Sequence, residues 1–222
     1  MDEYRANHGS SSGLIFIQNH GVFAGADSVE GIKSSYRDIM ERLTKKIKRQ
    51  PDFSPEAELP GESIAEPQAA LQAALTGKGS APVETAWPCA VCLRNREIAA
   101  LVRDRESFYP VSSGFSPDHI IYAGSDPLFT SARDPAGLSK DWKNHIEKTG
   151  RPPKIVAVRS LGVFGLGSSE KAAAFAIELF QDAVKVAVYS ESFGGPQFMS
   201  QDQMDFINNW EVEQFRSKVS TK

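Results

Sequence analysis

"KIVAVRSLGVFGLG", residues 154–167, decides how this chain is read. The stretch reads as one strand over residues 154–167, and the unbroken apolar run at 155–158 predicts that it is central in its sheet, since only a strand covered on both faces tolerates such continuity. Ala172, Phe175, Ala176, Leu179, Phe180, Ala183 and Val184 follow at helical spacing and mark a long amphipathic helix. Strand, glycine-rich turn and helix in that order are the basic unit of an α/β fold.

The stretch has an echo. Asn19-His20-Gly21-Val22-Phe23-Ala24-Gly25 aligns with Ser160-Leu161-Gly162-Val163-Phe164-Gly165-Leu166, an offset of 141 residues. Each copy follows an apolar strand and precedes an amphipathic helix. A domain-sized period of this kind indicates a duplicated half, whereas arrays and solenoids repeat at much shorter spacing. At the histidine position the second copy carries leucine.

Residues 14–18 read as a short buried strand ending in Asn-His-Gly. Asp27 and Ser28 are candidate N-caps for a helix carrying Ile32, Tyr36, Ile39, Met40 and Leu43, with basic residues gathering toward residue 49. Residues 50–66 hold three prolines and many acids, as a linker or long surface loop does. PQAALQAALTGKG is a short helix closed by glycine. AVCLRNREIAALVRD contains two candidate strands, and HIIYAG, residues 119–124, a third. A short helix is expected around LSKDWKNHIEKTG, and a last one over residues 200–216 with Ser200 as N-cap.

Composition narrows the partners. A formal net charge of −3 leaves no basic footprint for nucleic acid. No apolar stretch approaches the roughly 20 residues of a membrane span. The N-terminus is polar and lacks the apolar core of a secretory signal. Two cysteines make no disulfide framework, so the cytoplasm is the expected compartment.

Among candidate sites, His20 stands where a strand ends and a helix is about to begin, the edge at which open α/β sheets place ligands. It suits a metal, a general base or a simple loop hydrogen bond. Cys89-Ala-Val-Cys92 has the spacing of half a zinc knuckle or a redox pair. No second pair accompanies it, so small buried hydrophobes are the plainer reading. GVFGLGSSEKAA matches neither the P-loop nor the dinucleotide glycine pattern. Its glycines and Ser168 or Ser169 are expected to form a tight turn and a helix cap, with phosphate binding the lesser reading. The Ser-Ser-Gly turn in YPVSSGFSPDHIIYAG is either a phosphate contact or a loop. His8, His119 and His145 are not placed for chemistry.

The unit strand–Asn-His-Gly–Val-Phe-x-Gly–helix resembles the class II aldolase/adducin family. It is closest to those long members in which a rhamnulose-1-phosphate aldolase-like region precedes a short-chain dehydrogenase domain. PPKIVAVRSLGVFGLGSSEKAAAFAIELFQDAV, SPDHIIYAGSDPLF and NNWEVEQFRSK are similar to further segments of those proteins, in the same order. The resemblance implies a layered α/β/α fold, with a second, degenerate aldolase-like unit. It places the remnant of a first unit at residues 1–50, a linker at 51–65 and the degenerate unit at 66–222.

By the same resemblance, family aldolases hold a divalent metal, usually zinc, on three histidines and cleave a ketose 1-phosphate by retro-aldol chemistry. His20 takes the place of the last ligand. The other two belong to a His-x-His motif, which this sequence lacks, as it lacks a counterpart of the catalytic glutamate and a dinucleotide fingerprint after Trp210. The expected activity is therefore that of an aldehyde-lyase of carbohydrate metabolism, incomplete and inactive as this chain alone. A sugar phosphate is the implied substrate, and a homo-oligomer or a complementing polypeptide the implied partner. The competing expectation is a non-catalytic interaction module, as in the adducin branch.

Overall fold

The computed structural model describes residues 2–9, 12–56, 65–78 and 87–212. It divides into two compact units, Met1–Arg49 and Gln50–Lys222.

In the first unit a short helix α1 (Asp2–His8) precedes strands β1 (Leu14–Ile17) and β2 (Gly21–Ala24) and helix α2 (Val29–Thr44). The two strands form an antiparallel hairpin with Leu14 opposite Ala24 and Ile17 opposite Gly21. Ser28 caps α2, its hydroxyl accepting from the Gly31 amide at 3.1 Å. The Ile32–Tyr36–Ile39–Leu43 stripe is present, yet no residue of α2 is buried. Nor is the predicted strand a buried one: Phe16 is 67% and Ile17 44% exposed. The apolar run reflects sheet-forming residues in a ribbon that has no third strand among the described residues.

The second unit is a three-layer structure. Its elements are α3 (Ala65–Leu75), β3 (Cys89–Leu93), α4 (Arg96–Leu101), α5 (Arg105–Phe108), β4 (Leu128–Thr130), α6 (Pro135–Thr149), β5 (Ile155–Val158), β6 (Gly162–Gly167), α7 (Glu170–Ser190) and α8 (Gln201–Asn209). The sheet order is β3-β6-β5-β4, with β4 and β5 parallel and the other pairs antiparallel. The parallel pair needs a crossover, which α6 supplies. Strand alternation sends Ile155, Ala157 and Val163 toward α7, in a core with Ala176, Phe180 and Val184. Val156, Val158, Phe164 and Leu166 go the other way, against Leu71 and Leu75 of α3 and Leu138 and Trp142 of α6. β5 is thus an inner strand, as its apolar continuity requires, and the α/β/α layering follows from it.

Three sequence expectations change. Residues 154–167 are two strands, because the chain reverses at Arg159-Ser160-Leu161 and pairs with itself. In AVCLRNREIAALVRD only the first half is a strand; Asn95 caps α4, accepting from the Ile98 amide at 2.8 Å, and turns the second half helical. HIIYAG is a π-helical turn over His119–Ala123, every residue of it buried and ended by Gly124 at φ 85. Periodicity cannot tell a five-residue apolar run in a strand from one in a helix. Here the turn is held by packing against Phe175, Leu179 and, on α8, Met204 and Ile207.

Residues 51–56, expected to begin a linker, are fastened to this unit. The Asp52 amide donates to the Glu97 carboxylate at 2.9 Å, the Glu97 amide donates to the Asp52 carbonyl at 2.9 Å, and Phe53 packs on the core. Ser200 caps α8 in a reciprocal capping box with Gln203. The end of the predicted last helix, from residue 213, lies outside the described residues.

Candidate functional site

His20 occupies the last position of the turn between β1 and β2, on the surface, with its amide donating to the Ile17 carbonyl at 3.1 Å. It is therefore in a hairpin tip and not at a strand-to-helix junction, as β2 intervenes before α2. Asn19 takes φ 58, and Gly21 takes φ 150 with open space around its α-carbon. Asparagine tolerates the left-handed region better than most residues, which is why Asn-x-Gly suits this reversal.

The turn at Ser160-Leu161-Gly162 is the same object. Leu161 donates its amide to the Val158 carbonyl at 3.0 Å, Ser160 has φ 53 and Gly162 φ 154. All four cross-strand pairs recur at the 141-residue offset, from Leu14–Ala24 and Ile155–Gly165 to Ile17–Gly21 and Val158–Gly162. The caps match too: Ser28 and Ser169 both have φ −147, and each accepts from the amide three residues on. What differs is the side chain and its company. Leu161 is 2% exposed, inside the α3–α6 core, where His20 is on the surface.

Among the described residues no three His, Cys, Asp or Glu side chains come together to hold a metal. The described residues therefore do not by themselves make a zinc site around His20. Cys89 and Cys92 lie three apart on β3, which puts them on opposite faces of the strand. Burial pushes the Cys92 thiol up to about 11, which disfavours the thiolate, and its side chain packs on the α3–α6 core. The glycines of β6 serve packing: a β-carbon on Gly167 would meet the Ala173 amide nitrogen at 2.6 Å, and Ser169 is engaged as the cap of α7.

A second candidate is invisible to local motifs. A cavity of about 360 Å³ opens beneath the π-helical turn. Its walls include Trp87, Ile120, Ile121 and Pro153, and its polar groups are Ser125, Asp126, His145, Arg151, Lys154 and Asn208. Lys154 donates to the Ile121 carbonyl at 2.5 Å, and burial alone lowers its pKa. Burial also lowers the pKa of His145, against the pull of the Asp126 charge. Ser125 donates to Asp126 at 2.6 Å. His119 lies in the π-helical turn itself, with Nε2 3.3 Å from an oxygen of Asp182 and a buried Nδ1 that has no hydrogen-bond partner.

The fold and these sites define a mixed α/β protein. No protein-family model matches the chain, and no curated protein matches it. Among solved structures it is similar to the crystal structure of an aldolase II superfamily protein from Pseudomonas syringae, with 13% identity and a TM-score of 0.44. That match covers 73% of this chain and 64% of the other. No helix among the described residues is long and apolar enough to cross a membrane.

Proposed function

We propose that this chain is the incomplete part of a class II aldolase/adducin-type protein, a metal-dependent sugar-phosphate aldolase by kinship, and that a complementing polypeptide finishes the unit bearing His20. One observation carries the reading: the same hairpin exists twice in the molecule, once finished and once open. In the finished copy an antiparallel strand lies along β6 and a parallel strand along β5. In the open copy both edges of the β1–β2 ribbon lack a strand among the described residues, and Phe16 and Phe23 are 67% and 56% exposed. The hairpin residues 14–24 carry no lysine, proline or other charge, the usual means of protecting an edge from pairing. A partner that adds strands there pairs with the edge backbone and covers the apolar face in one step.

A divalent metal held by His20 and by the partner's ligands would supply Lewis-acid polarisation of the substrate oxygens. In the adducin-like reading the same unit is an interaction module without chemistry. Metal content of the assembled complex separates the two, with stoichiometric zinc expected for the aldolase.

The purified chain alone is expected to show no cleavage of rhamnulose 1-phosphate or fuculose 1-phosphate, because even an open zinc site uses three protein ligands. Turnover that is lost in His20→Ala would overturn this reading. Hydrogen exchange tests the open edge separately: amides of 14–24 should exchange far faster than those of 155–165. Equal protection in the isolated chain would remove the need for a partner.

A further inference from the structure

We infer that the cavity beneath the π-helical turn binds a small organic monocarboxylate, its charge on Lys154 and its apolar body against Trp87, Ile120 and Pro153. Lys154 is placed there by its neighbours. It directly follows Pro152 and Pro153 and directly precedes Ile155, the first residue of an inner strand, and its carbonyl accepts from the Leu166 amide at 2.8 Å. The side chain then runs beneath the turn, where its Nζ finds one acceptor, the Ile121 carbonyl. Among the described residues no carboxylate is in ion-pair contact with it, and its partial burial lowers its pKa. An ammonium that gives up water without gaining a counter-charge is costly. A bound anion removes that cost, and the cavity supplies room for one.

The other groups specify the class. Arg151 is 3.7 Å from Asp205, so its charge is already matched in part. Asp126 lines the same cavity and is oriented by the Ser125 hydroxyl, which places a negative charge beside the ligand space. One unmatched cation beside one carboxylate suits a monoanion and opposes a phosphate dianion. About 360 Å³ with mainly apolar walls is at the lower end of the range for small-molecule sites. The whole site lies within the second unit and is independent of His20.

Benzoate, benzyl alcohol and phenyl phosphate are the probes, titrated against the full chain by isothermal calorimetry with tryptophan fluorescence alongside. Benzoate should bind saturably at millimolar concentration or below. Benzyl alcohol and phenyl phosphate should each bind at least tenfold more weakly. Lys154→Met should lose benzoate binding at least tenfold while melting no lower than the parent, since it removes a half-buried charge that has no counter-charge. Equal binding of benzoate and benzyl alcohol would overturn the role of the charge, and tighter binding of phenyl phosphate would overturn the monoanion. No saturable benzoate binding would overturn the site. Unchanged benzoate binding in Lys154→Met, with a lower melting point, would mean that Lys154 serves the Ile121 carbonyl alone and would overturn its role in the site.

Discussion

In the first hairpin Phe23 sits opposite Ile15 and is largely exposed; 141 residues on, Phe164 sits opposite Val156 and is wholly buried. Backbone, register, turn dihedrals and helix cap agree between the copies, yet one is surface and the other is core. The comparison extends to the helices. Ile32, Tyr36, Ile39 and Leu43 of α2 occupy the places of Ala173, Ile177, Phe180 and Val184 of α7. The α7 residues are all buried and none on α2 is. Local sequence determines the shape of such a unit; burial is conferred by the strands and helices that arrive from elsewhere.

The largest test exchanges a core ring for alanine in each copy. Phe164→Ala should cost about 3–5 kcal/mol in denaturant melts, the usual range for a buried phenylalanine. Phe23→Ala should change the same transition by less than about 0.5 kcal/mol, as surface substitutions do. Similar losses would mean that the first hairpin is buried in solution. The turns come next. Leu161→Ala should cost about 2–5 kcal/mol and His20→Ala almost nothing. Leu161→His should be at least as damaging as the alanine, because it puts an imidazole among Leu71, Leu138 and Trp142.

The helix caps give a smaller contrast. Ser169→Ala removes the acceptor for the Ala172 amide and should cost about 1 kcal/mol in the main transition. Ser28→Ala should instead show only as faster exchange of the α2 amides. The smallest effect belongs to the left-handed turn residue. Ser160→Asn should raise stability by a few tenths of a kcal/mol, because asparagine tolerates φ 53 better than serine. A loss would indicate that the larger amide side chain does not fit at the second turn, since the Ser160 carbonyl that accepts from Arg133 at 3.4 Å is main chain and is kept in the variant.

Much of this was legible before any coordinates. The inner strand followed from Ile155–Val158, the helix after it from its apolar spacing, and the α8 cap from Ser200. At the other two helices the sequence left Asp27 or Ser28 and Ser168 or Ser169 open, and the structure takes the second of each pair. The echo also held, down to cross-strand register. The reversal at Arg159-Ser160-Leu161 was hidden because no Asn-Gly or Pro marks it; Asn19-His20-Gly21, a turn signal in the aligned copy, would have revealed it. The π-helical turn was hidden because buried apolar residues look alike in short runs. The cavity could not be seen at all, since its polar groups come from residues 125–126, 145–154 and 208, which only tertiary packing brings together.

The reversal at Ser160 also bears on the order in which the second unit assembles. β5 and β6 are joined by three residues, and α7 begins three residues after β6 ends, so these contacts close short loops. β3 must instead find β6 across the whole segment from Leu93 to Gly162. Short loops cost little entropy to close and long ones more, so contacts near in sequence form first. The β5–β6–α7 segment is therefore the expected folding nucleus, and substitutions in it should slow folding. Substitutions at the β3 edge, formed later, should act mainly by speeding unfolding.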